Sequence, residues 1–223
     1  GIEASARRAR YEAFEEFART QSLDYILLGH TRDDQAEGVL LGLARGSGSR
    51  SLSGMREKNG IYLRPLLGIS REETEQACRE LDIEFWKDPH NEDKKFLRVR
   101  AREAISLLEE SIGPGIRDAL ARSADLLRDD ADALDQYSQE IFTSLDPHSL
   151  DISQLAPLPR AVRTRVLRLA IYATGSPAGS LTADHIAPVE ALISNWHGQG
   201  QIALPGGVKA ERISGRLSLS RQG

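Results

Sequence analysis

Three acidic side chains stand close together early in the chain, just after a short apolar run. Asp33, Asp34 and Glu37 are spaced so that all three lie near one face of a helix. Acids in the first turn of a helix are commonly caps, and Asp34 with Glu37 fits a capping box. One cap needs only one or two acids. The surplus therefore indicates a cluster that could also hold a cation, either a metal ion or an ammonium group.

Two further candidates flank this acidic cluster. His30 could act as a base, a ligand or a phosphate contact, although a lone histidine is more often a structural donor. The segment Arg45-Gly46-Ser47-Gly48 offers backbone N–H groups and a guanidinium to a phosphate. A helix stopped by Gly46 explains the same residues equally well.

A second candidate region lies in residues 88–102. Asn91 belongs to the polar loop KDPHNED, where an Asx turn is the simpler explanation. Arg98 and Arg102 are four residues apart and share a helix face. That spacing suits bidentate phosphate binding, but surface ion pairing is the commoner use of such arginines.

An alternation of helices and strands must position these residues. Helices are predicted over residues 3–20, 33–45 and 70–81, and short strands over 23–28, 61–63 and 83–86. Crossover helices between strands favour a parallel sheet in an α/β domain. Ligands of such sheets bind beyond the carboxyl ends of the strands, where the acidic cluster falls. Because only three short strands precede residue 90, part of the sheet is expected upstream of Gly1.

The pattern becomes helical after residue 96 and ends in short strands. Helices are predicted from 96, from 116 to 145, from 159 and from 182 to about 196, with strands at 201–204, 208–213 and 216–220. We therefore expect two domains, one over residues 1–102 and a helical one over 103–223. The second ends in a small β-meander over residues 201–220.

Composition sets the broad class. Hydrophobic residues make up 40% and charged residues 28%, and no apolar run approaches the ~20 residues of a membrane span. The single cysteine, Cys78, cannot form an internal disulfide, so a reducing cytoplasm is predicted.

A net charge of −4 argues against indiscriminate nucleic-acid binding. Basic stretches at 94–102 and 160–168 would permit a local polyanion footprint, although solvated helix faces explain them equally well.

Several of these stretches together carry a family resemblance. Residues 29–55, GHTRDDQAEGVLLGLARGSGSRSLSGM, resemble the signature of the tRNA(Ile)-lysidine synthetase family, roughly H-x-x-D-D-Q-x-E-T-x-L-x-x-L-x-R-G-S-G followed by G-M. Residues 88–102 are similar to its motif D-x-S-N-x-D-x-x-(aromatic)-x-R-N-x-(I/V)-R. The family's A-R-x-x-R-Y helix and its L-P-G-G strand pair resemble residues 6–11 and 204–217. Gly38, His90 and Val99 stand where the family usually has Thr, Ser and Asn.

The resemblance implies a fold and a reaction. The fold is part of an adenine-nucleotide α-hydrolase-like, Rossmann-like ATP pyrophosphatase domain over residues 1–102, followed by a tRNA-binding domain over 103–223. The reaction is ATP-dependent ligation of free lysine to C2 of the wobble cytidine of an isoleucine tRNA, through an adenylated intermediate, to give lysidine. The family's S-G-G-x-D-S loop does not occur in these residues. We therefore expect an inactive fragment, with ATP and Mg²⁺ bound mainly through an upstream segment.

The resemblance also implies a role for each candidate. Catalytic roles fall to His30, Asp33, Asp34 and Glu37; lysine or cytidine contacts to Asp34, Glu37 and Asn91; phosphate or tRNA contacts to Arg45, Ser47, Arg98 and Arg102. No residue is expected to ligate a metal directly. The expected partners are the anticodon loop of an isoleucine tRNA, free lysine and ATP. No membrane association is expected, and a homodimer is left as an open alternative.

Two other functions remain open at this point. One is a non-enzymatic RNA-binding module. The other is a different ATP-dependent tRNA modifier, such as a thiolating enzyme. Thiolating enzymes of this fold need reactive or metal-bound cysteines, and Cys78 stands alone in a helical pattern.

Overall fold

The computed structural model describes residues 2–46, 48–91 and 93–221, which form two compact units. The first unit extends to Asp129 and the second begins at Asp130, so the division falls inside a long helix. The domain boundary expected at residue 102 stays a prediction. Across the described ranges, no helix is both long enough and apolar enough to cross a membrane.

The first unit contains a small sheet surrounded by helices. Its helices are α1 (Ile2–Thr20), α2 (Arg32–Ala44), α3 (Ser49–Leu52), α4 (Arg71–Glu80), α5 (Leu97–Ile112) and the start of α6 (Ile116–Thr143). Its strands are β1 (Ile26–Leu27), β2 (Lys58–Asn59) and β3 (Tyr62–Leu63). A single 3-10 turn, Pro89–Asn91, lies between α4 and α5.

The sheet of the first unit has the order β1-β3-β2. β1 runs parallel to β3, with Ile26 opposite Tyr62, which confirms the parallel pairing expected of an α/β domain. β2 is an antiparallel addition that the periodicity did not indicate, and it turns into β3 at Gly60 with a φ of 60°. A left-handed backbone conformation at this turn position favours glycine.

The strand predicted at residues 83–86 is wrong. These residues have no regular structure, and Ile83, Phe85 and Trp86 are 53%, 39% and 78% exposed. Alternating apolar residues form a strand only where a neighbouring edge pairs with them, and the described sheet offers these residues no such pairing. By contrast, the helix predicted from Ser70 is confirmed, because Ser70 and Glu73 form the expected capping box of α4.

The second unit is an antiparallel sheet covered by helices. After the end of α6 it comprises β4 (Ser149–Asp151), α7 (Ile152–Leu155), α8 (Arg160–Ala173), α9 (Ala183–Ser194), β5 (Ile202–Leu204), a 3-10 turn (Pro205–Gly207), β6 (Val208–Ile213) and β7 (Arg216–Arg221). The strand order is β4-β7-β6-β5. The predicted meander is present as β5–β7, while β4 is an additional strand that pairs with β7.

A continuous aliphatic core holds the second unit together. It includes Leu150, Leu167, Leu192 and Leu217, each with no exposed surface. Burial of a leucine side chain stabilises a fold by about 1.5–3 kcal/mol. At the β5–β6 turn, Gly206 has a φ of 78°, and a Cβ there would lie 2.7 Å from Pro177 Cδ. Glycine is therefore required for the turn to pack.

The basic stretch at 160–168 is largely internal to the second unit. Arg163 is buried against Glu190, and Arg165 Nε donates to Asp135 Oδ1 at 2.7 Å. Arg168 Nη1 donates to the Leu181 carbonyl at 2.6 Å. The structural explanation of these arginines is therefore better supported than a polyanion footprint.

Candidate active site

The candidate site forms where β1 ends and α2 begins. Leu28 N–H donates to the Leu63 carbonyl at 2.8 Å, which extends the parallel pairing to the edge of the sheet. Thr31 then caps α2: its N–H and Oγ1 both donate to Asp34 Oδ2, at 2.8 and 3.0 Å. The capping pair predicted between Asp34 and Glu37 is therefore wrong. The cap begins one turn earlier, which leaves Glu37 without a capping function.

The neighbouring acid, Asp33, points toward other helices. Its Oδ2 accepts a hydrogen bond from Arg71 N–H at 2.8 Å, and Arg71 is the first residue of α4. Its Oδ1 lies 3.4 Å from Arg117 Nε. A carboxylate on the free N–H groups of a helix start stabilises that helix. In this arrangement, Asp33 ties α4 and the start of α6 to α2.

Glu37 is almost completely buried and forms one ion pair. Its side chain is 1% exposed, and its Oε1 accepts a hydrogen bond from Arg102 Nε at 2.8 Å. Its Oε2 has no hydrogen-bond partner among the described residues. Burial raises the pKa of this carboxyl, while the hydrogen bond and charge of Arg102 act in the opposite direction. One oxygen of Glu37 is thus paired with the Arg102 guanidinium, and the other has no hydrogen bond in the described ranges.

Asp34 keeps one oxygen available next to two arginines. Its Oδ1 lies 3.6 Å from Arg98 Nη1 and 3.8 Å from Arg71 Nη2. These distances are ion-pair distances rather than good hydrogen bonds, which are typically 2.7–2.9 Å for charged groups. A ligand group could therefore reach this oxygen without breaking a strong contact.

His30 adds a second unsatisfied polar atom. Its Nδ1 is buried and has no hydrogen-bond partner among the described residues. Burial is the main cause that lowers the pKa of His30, and the positive charges of Arg64, Arg98 and Arg7 lower it further, against the opposing effect of Asp34. The lowered pKa therefore favours the neutral imidazole near pH 7.

A pocket of about 340 Å³ opens between α1, the end of β1 and α4. Its lining comprises Arg7, Arg10, Tyr11, Phe14, Leu28, Gly29, His30, Asp34 and Arg71. Of the predicted catalytic residues, His30 and Asp34 face this pocket, Glu37 lies buried beside Arg102, and Asp33 serves the helix contacts described above. Arg98 approaches the pocket through its contact with Asp34.

Another cavity, of about 320 Å³, lies elsewhere in the first unit and does not include these residues. Its charges largely pair with one another: Arg32 Nε lies 2.9 Å from Asp118 Oδ1, and Arg128 Nη1 lies 2.9 Å from Asp125 Oδ1. We therefore take the pocket that contains His30 and Asp34 as the candidate site.

Two other predicted site residues, Asn91 and Arg45, are not brought into the pocket. Asn91 is exposed in the 3-10 turn, with its N–H donating to the Asp88 carbonyl at 2.9 Å. Arg45 is exposed at the end of α2, where Gly46 has a φ of 63° and stops the helix, as the simpler explanation predicts. Ser47 lies outside the described residues.

Gln35 is an important residue that the sequence reasoning did not single out. It is 4% exposed, its Nε2 donates to the Met55 carbonyl at 2.9 Å, and its Oε1 accepts from Met55 N–H at 2.6 Å. Gly54 has a φ of 61°, and a Cβ there would lie 2.6 Å from Gln35 Oε1. The only available signal was the joint occurrence of D-D-Q and G-M in the family signature. The contact holds the loop after α2 against that helix.

The site is rich in cations and contains no metal-binding cluster in the part of the chain that the structure describes. No group of three or more His, Cys, Asp or Glu residues in these ranges could hold a metal ion. Arg71 and Arg7 also line the pocket, and the sequence analysis did not identify them as site residues. Buried carboxylates balanced by guanidiniums suit the binding of phosphate and ammonium groups together.

Comparison with known proteins assigns this arrangement to a class. A family model described as "PP-loop domain" matches residues 1–108, and one described as "TilS substrate binding domain" matches residues 150–218. Residues 1–108 thus form a PP-loop domain, a class that binds ATP, which confirms the fold expected from the resemblance.

Curated proteins named tRNA(Ile)-lysidine synthase match the whole length of the chain. The Thermobifida fusca protein is 49% identical over 99% of this chain and 69% of its own length. Those of Streptomyces coelicolor and Leifsonia xyli are 48% and 46% identical over 65% and 67% of their own lengths. The chain therefore belongs to the tRNA(Ile)-lysidine synthase family, and it spans about two thirds of the length of these relatives.

One solved structure is more distantly similar. The U34-tRNA thiolase NcsA from Methanococcus maripaludis, with its 4Fe-4S cluster, is 21% identical, with 55% of this chain and 43% of that chain covered and a TM-score of 0.44. A likeness at this level supports no inference about function.

Proposed function

We propose that the chain takes part in the ATP-dependent attachment of free lysine to C2 of the wobble cytidine of an isoleucine tRNA, which gives lysidine. The shared name of the relatives supports this reaction. The structural observation that carries it is the meeting of a neutral histidine, an accessible carboxylate and a buried carboxylate–guanidinium pair beyond β1.

The reaction makes two demands on such a site. The cytidine C2 oxygen attacks the α-phosphorus of ATP and releases diphosphate, so negative charge must be balanced at the phosphates. The ε-nitrogen of lysine then forms a bond to C2 as the C2–O bond breaks and AMP leaves. Because lysine arrives as an ammonium ion, it must lose a proton before it can attack.

Asp34 and His30 are assigned the lysine step. The available Oδ1 of Asp34 is positioned to accept the ammonium group, since only loose contacts from Arg71 and Arg98 occupy it. His30 is neutral near pH 7 and faces the same pocket, so it can accept the proton that the ammonium loses.

Glu37 is given a positioning role rather than direct lysine contact. Its carboxylate is covered by Arg102 and is 1% exposed. The pair orients the Arg102 guanidinium, which together with Arg98 can face phosphate charge. Contacts of Asn91, Arg45 and Ser47 with RNA stay predictions.

Mg²⁺ would be bound together with ATP rather than at a separate site formed by these residues. Mg²⁺ in nucleotide sites is bound through one or two carboxylates together with phosphate oxygens and waters, so ATP itself would supply most of its ligands. No step is assigned to a metal ligand of this chain.

The test measures incorporation of radiolabelled lysine into an isoleucine tRNA by the protein expressed from its complete gene. Asp34→Asn keeps an oxygen for the Thr31 cap but removes the charge, and it should reduce incorporation by about 10²–10³-fold. The matched control is Asp24→Asn, an exposed acid outside the pocket. Equal rates for the two variants would remove Asp34 from the reaction.

The same assay separates the alternative functions. An RNA-binding module would bind the tRNA but incorporate no lysine with ATP present. Incorporation that requires ATP and is specific for lysine over arginine supports the ligase, whereas tRNA binding without any incorporation contradicts it.

A further inference from the structure

We propose that the loop of residues 195–199, between α9 and β5 of the second unit, presents the Trp196 ring as a stacking surface for an unpaired base of the RNA substrate. This inference rests on the proposed function, which makes a tRNA the substrate. It extends that function to a surface outside the candidate site. Trp196 contacts the RNA there and takes no part in the chemistry.

Trp196 is the aromatic residue of this loop, two positions after the end of α9 at Ser194. It is 41% exposed. A single exposed apolar residue is common on protein surfaces, so exposure alone does not identify a binding surface. What distinguishes Trp196 is the way in which its ring and its loop are held.

One face of the indole is covered by a guanidinium. The Arg212 Cζ atom lies 5.1 Å from the centre of the Trp196 ring. Arg212 Nη1 also donates to the Leu192 carbonyl at 2.9 Å, which anchors the arginine to the last turn of α9. A cation over an indole face is attracted by the ring quadrupole. The ring is therefore held from one side, and a ligand can stack only on its other face.

The loop is cross-linked by its own hydrogen bonds. The Asn195 carbonyl accepts from Gln199 Nε2 at 2.7 Å and from His197 Nδ1 at 3.0 Å. The His197 N–H donates to Gln199 Oε1 at 2.9 Å. The residues on both sides of Trp196 are thus tied together before any ligand arrives. Such preorganisation lowers the conformational entropy lost on binding.

Polar groups next to the ring are available for the edge of a base. Because the Asn195 carbonyl can only accept, His197 Nδ1 carries the shared hydrogen, and Nε2 of the neutral imidazole is then an acceptor. Within the described ranges, His197 Nε2, the Asn195 side-chain amide and Trp196 Nε1 have no hydrogen-bond partner. Proteins bind unstacked RNA bases by pairing an aromatic face with such donors and acceptors.

The charge of the surrounding sequence favours RNA over an apolar protein partner. Although the whole chain has a net charge of −4, residues 195–221 contain a single acid, Glu211, and four basic residues. The four are Lys209, Arg212, Arg216 and Arg221. A local excess of positive charge attracts a polyanion. An RNA strand supplies both a base for the indole and a phosphate for a nearby cation.

Tyr137 of α6 is an exposed aromatic residue of the same unit and provides the contrast. It is 49% exposed, but it makes no ring contact and no cation contact among the described residues. Its ring is therefore exposed without being positioned, which makes it a matched control for Trp196.

The experiment measures the affinity for the isoleucine tRNA by filter binding, with the protein expressed from its complete gene. Trp196→Leu keeps an apolar side chain but removes the aromatic face, and it should weaken binding roughly 5- to 150-fold. Trp196→Tyr keeps an aromatic face and should restore most of the affinity. Tyr137→Leu should leave the affinity unchanged.

Two further measurements separate stacking from other roles of the loop. Trp196→Leu removes no charge, so the slope of log affinity against log KCl concentration should stay the same. A changed slope would show that the loop acts through its charges and would contradict stacking. Added tRNA should quench tryptophan fluorescence more in the unaltered protein than in Trp196→Tyr. Equal quenching in the two proteins also contradicts the inference.

The inference is overturned if Trp196→Leu binds the tRNA as tightly as the unaltered protein. An equal loss of affinity in Trp196→Leu and Trp196→Tyr also overturns it, because tyrosine preserves a stacking surface. Failure of the proposed function looks different: lysine incorporation is then absent, while tRNA binding still depends on Trp196. Incorporation by a protein whose tRNA affinity does not depend on Trp196 removes the stacking surface alone.

Discussion

In each unit an arginine pairs with a buried glutamate, and these two pairs differ in how completely their polar atoms are satisfied. In the second unit, Arg163 Nη1 donates to the Ala156 and Leu158 carbonyls, both at 3.0 Å. Its Nε donates to Glu190 Oε1 at 2.9 Å, and Ser194 Oγ donates to Glu190 Oε2 at 3.0 Å. In the first unit, Arg102 satisfies one oxygen of Glu37, and the other has no partner among the described residues.

The surroundings of the two pairs differ in the same direction. Most of the largest fully buried side chains are leucines, isoleucines and valines of the second unit. In the first unit that group is represented by Ile105 and Glu37. Unsatisfied buried polar atoms cost free energy, and a ligand that pairs with them is one reason for a fold to retain them. We therefore propose that the satisfied pair contributes to stability and that the unsatisfied pair contributes to the candidate site.

The strongest test of this contrast removes the acid of the satisfied pair. Glu190→Ala leaves Arg163 buried without its counter-charge, so the free energy of unfolding of the second unit should fall by about 3–5 kcal/mol. Urea denaturation measures this loss. Glu140→Ala, at an exposed position of α6, is the control and should cost no more than about 0.5 kcal/mol. Similar losses for both variants would contradict the structural role of the pair.

The corresponding change in the first unit should affect activity more than stability. Glu37→Gln keeps the shape of the side chain but releases Arg102, and lysine incorporation should fall about 10²-fold because the guanidinium loses its orientation. The free energy of unfolding should change by less than about 1 kcal/mol, since the variant no longer buries a charge. A large stability loss with unchanged activity would reverse the assignment of the two pairs.

The pH dependence of stability gives a second measurement on Glu37→Gln. Burial raises the pKa of Glu37 above its ordinary 4.5, so the folded protein holds this proton more tightly than the unfolded chain does. Its contribution to stability is therefore lost as the pH rises from 4.5 through the raised pKa. Urea denaturation across this range should show a smaller decline for Glu37→Gln than for the unaltered protein.

A polar contact of the first unit that lies outside the pocket should behave like the satisfied pair. Gln35→Ala leaves the Met55 N–H without its partner and leaves the Met55 carbonyl with Arg128 Nη2 as its donor, so the free energy of unfolding should fall by about 1–3 kcal/mol. Gln76→Ala removes an exposed side-chain contact of α4 and serves as the control, with an expected change within about 0.5 kcal/mol. Equal values would show that the loop after α2 does not depend on Gln35.

The smallest expected effect concerns His30. Its NMR titration midpoint should lie below 6.5, because burial and nearby arginines disfavour the imidazolium. Arg98→Ala removes one of those charges and should raise the His30 pKa. Arg100→Ala, on the exposed side of α5, should leave it unchanged. A midpoint that does not respond to Arg98→Ala would separate His30 from the cationic environment of the site.

Elements with local signals were predictable from the sequence. The capping box of Ser70 and Glu73 and the turns of the β5–β7 meander are set by neighbouring residues, and the structure contains them. The false strand at 83–86 and the missed β2 and β4 have another cause. A strand of two or three residues exists only because a partner elsewhere in the chain pairs with it.

The site was predictable as a set of residues but not as a set of contacts. The acids and arginines around α2 could be identified from type, spacing and resemblance. Sequence spacing could not show that Asp33 holds the N–H of Arg71 while adjacent Asp34 faces the pocket. These assignments depend on contacts between residues about 40 or more positions apart, such as Glu37 with Arg102, which no local pattern encodes.

The strand order of the second unit has a consequence for how the protein is made. β4 pairs with β7, and the Arg216 side chain donates to Ser149 Oγ, so this contact forms only after a residue 67 positions later in the chain has been made. At about 5–20 residues per second, a ribosome needs roughly 3–13 s to synthesise that interval. During this time Leu150 and the rest of the aliphatic core have no complete sheet to cover them. The second unit therefore matures only after β7 emerges, and a ribosome that stalls earlier leaves an apolar surface for chaperones or proteases to recognise.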